Sequence, residues 1–160
     1  MAATGGWRGP SGLMRIGRAA GLAVFCLVAA FATARAESER EAAVLLARAG
    51  HMDEALRRLR AMLAAGTDDP IVALDLVTLL QQAGQSAEAV AVWDRVRPRN
   101  PPSYALMAAT RAFRDRKMFG RAAELAGDGM RRFPEELDWP ILLSLILTDD
   151  KRPDEALRLL

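Results

Sequence analysis

The sequence predicts an all-α protein, a solenoid of helical hairpins. Four similar stretches carry an alanine at the same place, at spacings of 34, 33 and 34 residues: Ala55, Ala89, Ala122 and Ala156. Gly50 and Gly84 are also 34 residues apart, each five residues before its alanine. Aromatic residues are only 6% of the chain while 51% is hydrophobic, a composition that favours closely packed helices over a sheet. We therefore expect about three and a half helix pairs, with the fourth truncated at the C-terminus.

Each repeat is expected to contain a helix A, a turn and a helix B. The repeats divide the chain at residues 37–69, 70–102, 103–136 and 137–160. The second helix A should begin at Pro70, where a missing N–H costs nothing, with Asp69 as its N-cap. Asn100 followed by Pro101 predicts the same arrangement for the third helix A, and Asp138 predicts something similar for the fourth.

Small residues are predicted to lie where helices approach closely. The four repeated alanines should occupy the crossing of helices A and B, because a larger side chain would separate the backbones. The third repeat departs from the pattern, with Lys117 in place of the turn glycine and with Gly127 and Gly129 inside its helix B. Close packing is the favoured role for both glycines over a phosphate loop, which needs a preceding strand and a following Gly-Lys. Trp93 and Trp139 are expected to pack between helices, with sugar stacking as the alternative.

Residues 1–36 read as a secretory signal peptide. Four arginines and no acidic residue occur in this segment, and an apolar run covers residues 19–32. Ala34-Arg35-Ala36 has the small-x-small pattern that precedes cleavage, which predicts a mature chain beginning at Glu37. The alternatives are a membrane anchor, for which 14 apolar residues are short of the roughly 20 needed, a lipoprotein through Cys26, and a start at Met14. We expect a periplasmic location, or the outer membrane if the chain is part of a porin.

Charge and residue types indicate a scaffold rather than an enzyme. Beyond residue 36 there are 18 basic and 20 acidic side chains, a net charge of −2, so nucleic acid is not expected as a partner. The chain has one histidine, His51, and one cysteine, too few for a metal site or a Cys/His nucleophile. His51 is expected to be an exposed turn residue. We predict no catalytic residue, no metal and no cofactor.

A polar groove on the inner face of the A helices is the predicted binding site. Its candidate residues are Arg48, Gln81, Gln82, Tyr104, Arg111, Arg114, Asp138 and Asp149, with Arg40, Leu74, Thr78 and Met107 at related positions. Guanidinium, amide and carboxylate groups could hold an acidic peptide or a glycan through charge-assisted hydrogen bonds. Ordinary solvated residues are the alternative interpretation.

The repeat period resembles that of the tetratricopeptide family. In that family, helix A carries a Leu and a large residue, glycine marks the turn, alanine lies on helix B, and proline ends it. Repeats of about 34 residues stack into a superhelix in which the A helices line the concave face. The resemblance implies a scaffold that binds proteins. The unpaired apolar residues Leu157, Leu159 and Leu160 lead us to expect a fragment, or a shortened copy, of a longer array.

A second resemblance is to the periplasmic repeat region of outer-membrane export porins for poly-β-1,6-N-acetylglucosamine. It is carried by residues 43–56 (AVLLARAGHMDEAL), 102–114 (PSYALMAATRAFR) and 142–157 (LLSLILTDDKRPDEAL). It implies a non-catalytic part of a biofilm-matrix export protein, with a periplasmic polysaccharide deacetylase and the exopolysaccharide as partners and no membrane span in the mature fragment. The alternatives are a generic periplasmic adaptor in envelope assembly and, more remotely, an enzyme whose catalytic domain follows.

Overall fold

The repeats form antiparallel helix pairs that follow one another along the chain. The computed structural model describes residue 35, residues 37–66 and residues 69–159, and the regular elements there are all α-helices. They are α1 (37–48), α2 (Met52–Ala64), α3 (Pro70–Gln82), α4 (Ser86–Val96), α5 (Ser103–Asp115), α6 (Phe119–Arg132), α7 (Asp138–Asp149) and α8 (Pro153–Leu157). The all-α array of hairpins predicted from the repeat spacing is thereby confirmed. The predicted signal peptide, apart from Arg35, lies outside the described residues.

The turn between helices A and B has the same backbone conformation in all four repeats. Gly50, Gly84, Lys117 and Lys151 occupy equivalent positions and have φ values of +89°, +72°, +58° and +61°. In each turn the next residue donates its N–H to a helix A carbonyl five residues back, at 2.8–2.9 Å. This is the Schellman ending, which satisfies carbonyls left free at a helix C-terminus. The lysine predicted to replace glycine in repeat three therefore adopts the left-handed conformation that glycine adopts more easily.

Only one of the three predicted N-caps is correct. The Asp69 side chain accepts a hydrogen bond from the N–H of Ile71 at 2.9 Å, with Pro70 as the first helical residue. Asn100 is not a cap, because α5 begins at Ser103 after Pro102. A residue that precedes proline is disfavoured in the α conformation, so two consecutive prolines delay the helix.

The cap predicted for the fourth helix A also differs from expectation. Asp138 is the first residue of α7 rather than the residue before it, and no side chain caps this helix by a hydrogen bond among the described residues. Its carboxylate still lies in the first turn, where the helix dipole favours a negative charge.

The core runs continuously through the hairpins. The four repeated alanines at the helix crossings are buried, three of them completely: Ala55, Ala89, Ala122 and Ala156. Trp93 and Trp139 are also buried, as expected of packing residues. Successive A helices contact one another, α3 with α5 and α5 with α7, whereas the B helices contact the A helices on either side. The A helices therefore form one continuous face of the array.

The two glycines inside α6 have different surroundings. A Cβ atom at Gly129 would lie 2.3 Å from ring carbons of Trp139, so the close-packing role is confirmed there. A Cβ atom at Gly127 would meet only Nη1 of Arg131, at 3.7 Å, which is ordinary contact. The expected packing role is therefore wrong for Gly127. Both residues lie within the helix rather than in a loop that could hold phosphate.

Candidate functional site

The face formed by the A helices contains two concavities. The first, of about 430 Å³, is called here the first pocket. Its lining comes from α1, α3 and α5: Arg40, Val44, Ala47, Arg48, Asp75, Thr78, Leu79, Gln82 and Tyr104. The second pocket, of about 190 Å³, lies between α3, α5 and α7. It is lined by Gln81, Arg111, Arg114, Asp115, Asp138, Ile141, Leu142 and Leu145.

A buried carboxylate organises the first pocket. Asp75 is buried; its Oδ2 accepts a hydrogen bond from Nη1 of Arg40 at 2.8 Å and its Oδ1 accepts one from the Tyr104 hydroxyl at 2.8 Å. Burial, followed by the hydrogen bond to Asp75, raises the pKa of Tyr104, so the phenol remains a neutral donor. The hydrogen bond to Asp75 likewise raises the pKa of Arg40. One carboxylate thus joins side chains from three successive repeats.

An ion pair and a hydrogen bond connect the helices that border the second pocket. Nε of Arg114 lies 2.6 Å from Oδ2 of Asp149, which joins α5 to the end of α7. Asp115 accepts a hydrogen bond from the Ser86 hydroxyl at 2.8 Å. Ile141 and Leu145 provide an apolar wall and are about half exposed. This pocket therefore presents an apolar surface beside charged groups.

The two pockets are related by the repeat. Four residues of the first pocket have an equivalent in the next repeat that lines the second pocket. The equivalent pairs are Ala47 and Gln81, Thr78 and Arg111, Gln82 and Asp115, and Tyr104 and Asp138. The same positions of the A helices therefore build both cavities with different side chains. The buried carboxylate is not repeated, because Ala108 and Leu142 stand at the positions equivalent to Asp75.

The predicted groove residues divide into free and paired groups. Seven of the eight line one of the two pockets, and the eighth, Asp149, pairs with Arg114. Within the described ranges, five have no hydrogen-bond or ion-pair partner for their side chains: Arg48, Gln81, Gln82, Arg111 and Asp138. Free polar groups at the rim of a concavity can bind a ligand without first breaking an internal contact.

Sequence reasoning placed one residue wrongly and missed another. Leu74 was expected in the groove but is buried, since it lies on the packed side of α3. Asp75, its neighbour, was not predicted although it is central to the first pocket. A single carboxylate within the apolar run IVALDLV was the signal available, because a buried charge requires partners.

The remaining sequence-predicted residue, His51, lies outside both pockets. His51 is exposed at the start of α2, as expected of a turn residue. In the parts of the chain that the structure describes, no group of three His, Cys, Asp or Glu side chains could hold a metal ion. None of the helices there combines the length and the apolar character that crossing a bilayer requires.

The spacing, the recurrent Schellman turn and the row of A helices define a tetratricopeptide-type solenoid of helical hairpins. Residues 46–112 match the family model described as tetratricopeptide repeat. A comparison with curated proteins gives no significant match.

Solved structures of MamA have a similar fold. MamA of strain AMB-1 is 19% identical with a TM-score of 0.70, over 78% of this chain and 74% of that chain. A double mutant of MamA of strain RS-1 is 22% identical with a TM-score of 0.68, over 78% and 70% of the two chains. MamA of strain MSR-1 is 21% identical with a TM-score of 0.65, over 78% and 72%. At these identities the likeness concerns the fold alone.

Proposed function

We propose that this chain is a non-catalytic scaffold that binds a protein partner along the face of its A helices. The observation that carries the proposal is the pair of equivalent pockets, whose rims bear polar side chains free of partners in the described ranges. Neighbouring packed helices are about 8–10 Å apart, and an extended peptide advances about 3.3 Å per residue. One extended segment can therefore place anchor residues roughly three positions apart in the two pockets.

The charges favour an acidic anchor in the first pocket. Arg40 pairs with Asp75 and also lies within 4.0 Å of carboxylate oxygens of Asp69 and Glu41. Arg48 has no partner among the described residues, so it is the cation of this pocket that is free to bind an anion. Leu79 and its aliphatic neighbours provide a contact for the carbon atoms of the same side chain. A glutamate or aspartate beside an apolar residue meets both conditions. In the second pocket, Arg111 and Asp138 offer one group of each charge beside an apolar wall.

Selection from a phage-displayed library of random peptides tests this assignment. We expect selected peptides to contain an acidic residue and to bind a variant carrying Arg48→Ala and Arg111→Ala about tenfold or more weakly, since a hydrogen bond to a charged group contributes about 1.5–3 kcal/mol. These two arginines are better targets than Arg114, whose removal would leave Asp149 unpaired. The matched control is Arg95→Ala on α4, a helix outside the A-helix face. Equal weakening by the control and the double variant would contradict the proposal.

The sequence supports a more specific proposal, a periplasmic role in exopolysaccharide export. The apolar leader with Ala34-Arg35-Ala36 supports export and cleavage, and the three segments that resemble exopolysaccharide export porins support a place in biofilm-matrix secretion. N-terminal sequencing of the protein from its own host should begin at Glu37. An intact N-terminus on cytoplasmic protein would contradict the periplasmic location. A generic adaptor in envelope assembly is the alternative that needs only the scaffold itself.

The partner in this finer role is expected to be a protein rather than the glycan. Partly deacetylated β-1,6-linked glucosamine is cationic, and the arginines of the two pockets should repel its amines. Asp138 is the free carboxylate in the second pocket, whereas Asp149 is occupied by Arg114. Calorimetric titration should therefore show tighter binding of the periplasmic polysaccharide deacetylase than of glucosamine oligomers. Micromolar binding of the oligomers without binding of the deacetylase would reverse this order.

A further inference from the structure

The first two B helices enclose a cavity that is separate from both pockets of the A-helix face. Helices α2 and α4 both pack against α3, but no Cα atom of α2 lies within 8 Å of a Cα atom of α4. The space between them, of about 320 Å³, has Leu76 of α3 among its lining residues. None of these lining residues lines the first or the second pocket. The space between α2 and α4 over Leu76 is called here the B-helix cleft.

One end of the B-helix cleft is bridged by an ion pair. Arg60 of α2 donates two hydrogen bonds to the Glu88 carboxylate of α4, at 2.8 and 2.6 Å, and one to Oε1 of Gln85 at 2.7 Å. The opposite charges of Arg60 and Glu88 therefore compensate each other at this end.

The other end of the cleft has a cation without a partner. Arg95 lies on α4 seven residues after Glu88, which places the two about 10 Å apart along the helix axis. Arg95 is exposed and has no hydrogen-bond or ion-pair partner among the described residues. Its guanidinium group is therefore available to an anionic group of a ligand.

Between these ends the cleft has an aliphatic lining. The lining residues there are Leu63 and Ala64 of α2, Leu76 of α3, and Ala91 and Val92 of α4. These five side chains cannot pair with the N–H and C=O groups of a peptide backbone, and such groups are costly to bury without a partner. An alkyl chain has no polar groups, so it suits this lining better than a peptide does.

The next repeat shows which features of the cleft the stacking of repeats requires. Asp94 and Arg121 stand at the positions of Arg60 and Glu88 and form an ion pair at 3.5 Å with the charges exchanged, so the bridge is common to both places. The other positions differ, because the equivalents of Leu63, Ala91 and Arg95 are Arg97, Glu124 and Asp128. The aliphatic lining and the unpaired cation are therefore particular to the B-helix cleft.

We propose that the B-helix cleft binds a medium-chain fatty acid, with its carboxylate on Arg95 and its alkyl chain along Leu76 and Val92. The length of about 10 Å between Arg95 and the ion pair corresponds to an extended chain of about eight carbons. This site goes beyond the peptide-binding function and shares no residue with the two pockets, so either proposal can fail while the other holds.

Titration of the full chain with fatty acids of increasing length, followed in methyl NMR spectra, tests the proposal. Octanoate should shift the methyl signals of Leu63, Leu76 and Val92. It should bind about tenfold more tightly than hexanoate, because two further methylenes are buried. Octanol has the same alkyl chain without the charge and should bind about tenfold or more weakly than octanoate.

Two exposed positions on α4 provide variants that separate the charge from the lining. Arg95→Gln should reduce octanoate affinity about tenfold or more, to that of octanol. Ala91→Glu places in the cleft the residue that the next repeat has at this position, Glu124, and should abolish octanoate binding with unchanged helical content. The matched control is Arg116→Gln, which removes an exposed arginine outside the cleft and should leave octanoate affinity unchanged.

Three results would overturn the proposal. The first is the absence of methyl shifts at every octanoate concentration below micelle formation. The second is equal affinity for octanol and octanoate, which would remove the role of Arg95. The third is octanoate affinity that is the same in the unchanged chain, Arg95→Gln and Ala91→Glu, which would place the ligand elsewhere.

Discussion

The two glycines of α6 offer a test of the packing between the third and fourth repeats. Alanine at either position should gain about 1 kcal/mol of helix propensity. At Gly127 nothing opposes this gain, because the added carbon meets only the end of the Arg131 side chain at 3.7 Å. Gly127→Ala should therefore stabilise the array by about 1 kcal/mol.

At Gly129 the same substitution creates a collision. The added carbon would lie 2.3 Å from ring carbons of Trp139, where carbon atoms prefer separations of about 3.5–4.0 Å. Trp139 is fully buried, so its ring cannot move out into solvent to relieve the collision. Overpacking typically costs about 1–3 kcal/mol, and the rigidity of the ring places this case near the upper end. After the helix-propensity gain, we expect Gly129→Ala to destabilise by about 2 kcal/mol.

Thermal and urea unfolding followed by circular dichroism can measure the difference. The two variants should differ by about 3 kcal/mol, which corresponds to roughly 10 °C in melting temperature for an array of this size. The comparison is internal, since both substitutions make the same chemical change in one helix. Stabilisation of the same size by both alanines would refute the contact between Gly129 and Trp139, and with it the packing of α6 on α7.

Three further predictions concern other links between residues and stability. Ala89→Leu should destabilise by about 1–3 kcal/mol because this position is fully buried at the helix crossing, while Ala87→Leu on the exposed side of α4 should change the unfolding free energy by less than about 0.5 kcal/mol in the same urea titrations. Lys117→Gly should raise the free energy of unfolding by up to about 1 kcal/mol, because a left-handed φ of +58° strains any residue with a Cβ atom, and the melting temperature should rise with it. The hydrogen bonds from Arg60 lower the pKa of Glu88. The pair therefore stabilises the fold above the unfolded-state pKa of about 4.3, and this contribution is lost as the pH falls through the lower folded-state pKa. Glu88→Gln should reduce the free energy of unfolding by about 0.2–1 kcal/mol at neutral pH, and this difference should disappear in unfolding curves measured in acid.

The sequence was most informative where geometry repeats. The spacing of the alanines predicted the helix crossings, and Gly50 and Gly84 predicted the turns, because each position must meet the same steric demand in every hairpin. Spacing alone also locates the turns at Lys117 and Lys151, which adopt the same conformation without glycine. A Schellman turn is fixed by its backbone hydrogen bonds, and these do not depend on the identity of the residue.

Local rules were less reliable where neighbouring residues compete. Asn100 followed by Pro101 matches a helix start, but Pro102 moves the start to Ser103 and leaves Asn100 to accept a hydrogen bond from Arg132 at 2.6 Å. Asp75 was missed for a different reason. Its partners are 35 residues before it and 29 residues after it, and only the stacking of three A helices brings them together.

The two pockets differ in a way that would distinguish the two orientations of a bound peptide. Their positions are equivalent, but the first pocket has about 430 Å³ and the second about 190 Å³, and their lining side chains differ. Tyr104 in the first pocket donates its hydroxyl to Asp75, whereas Asp138 at the equivalent place in the second is a carboxylate without a partner among the described residues. An acidic side chain is therefore favoured in the first pocket and disfavoured beside Asp138, where an amide or a cation fits better. If the proposed peptide binds with its acidic anchor in the first pocket, a reversed segment would bring like charges together at Asp138 and leave Arg48 without an anion. We therefore expect one orientation to be preferred over the other.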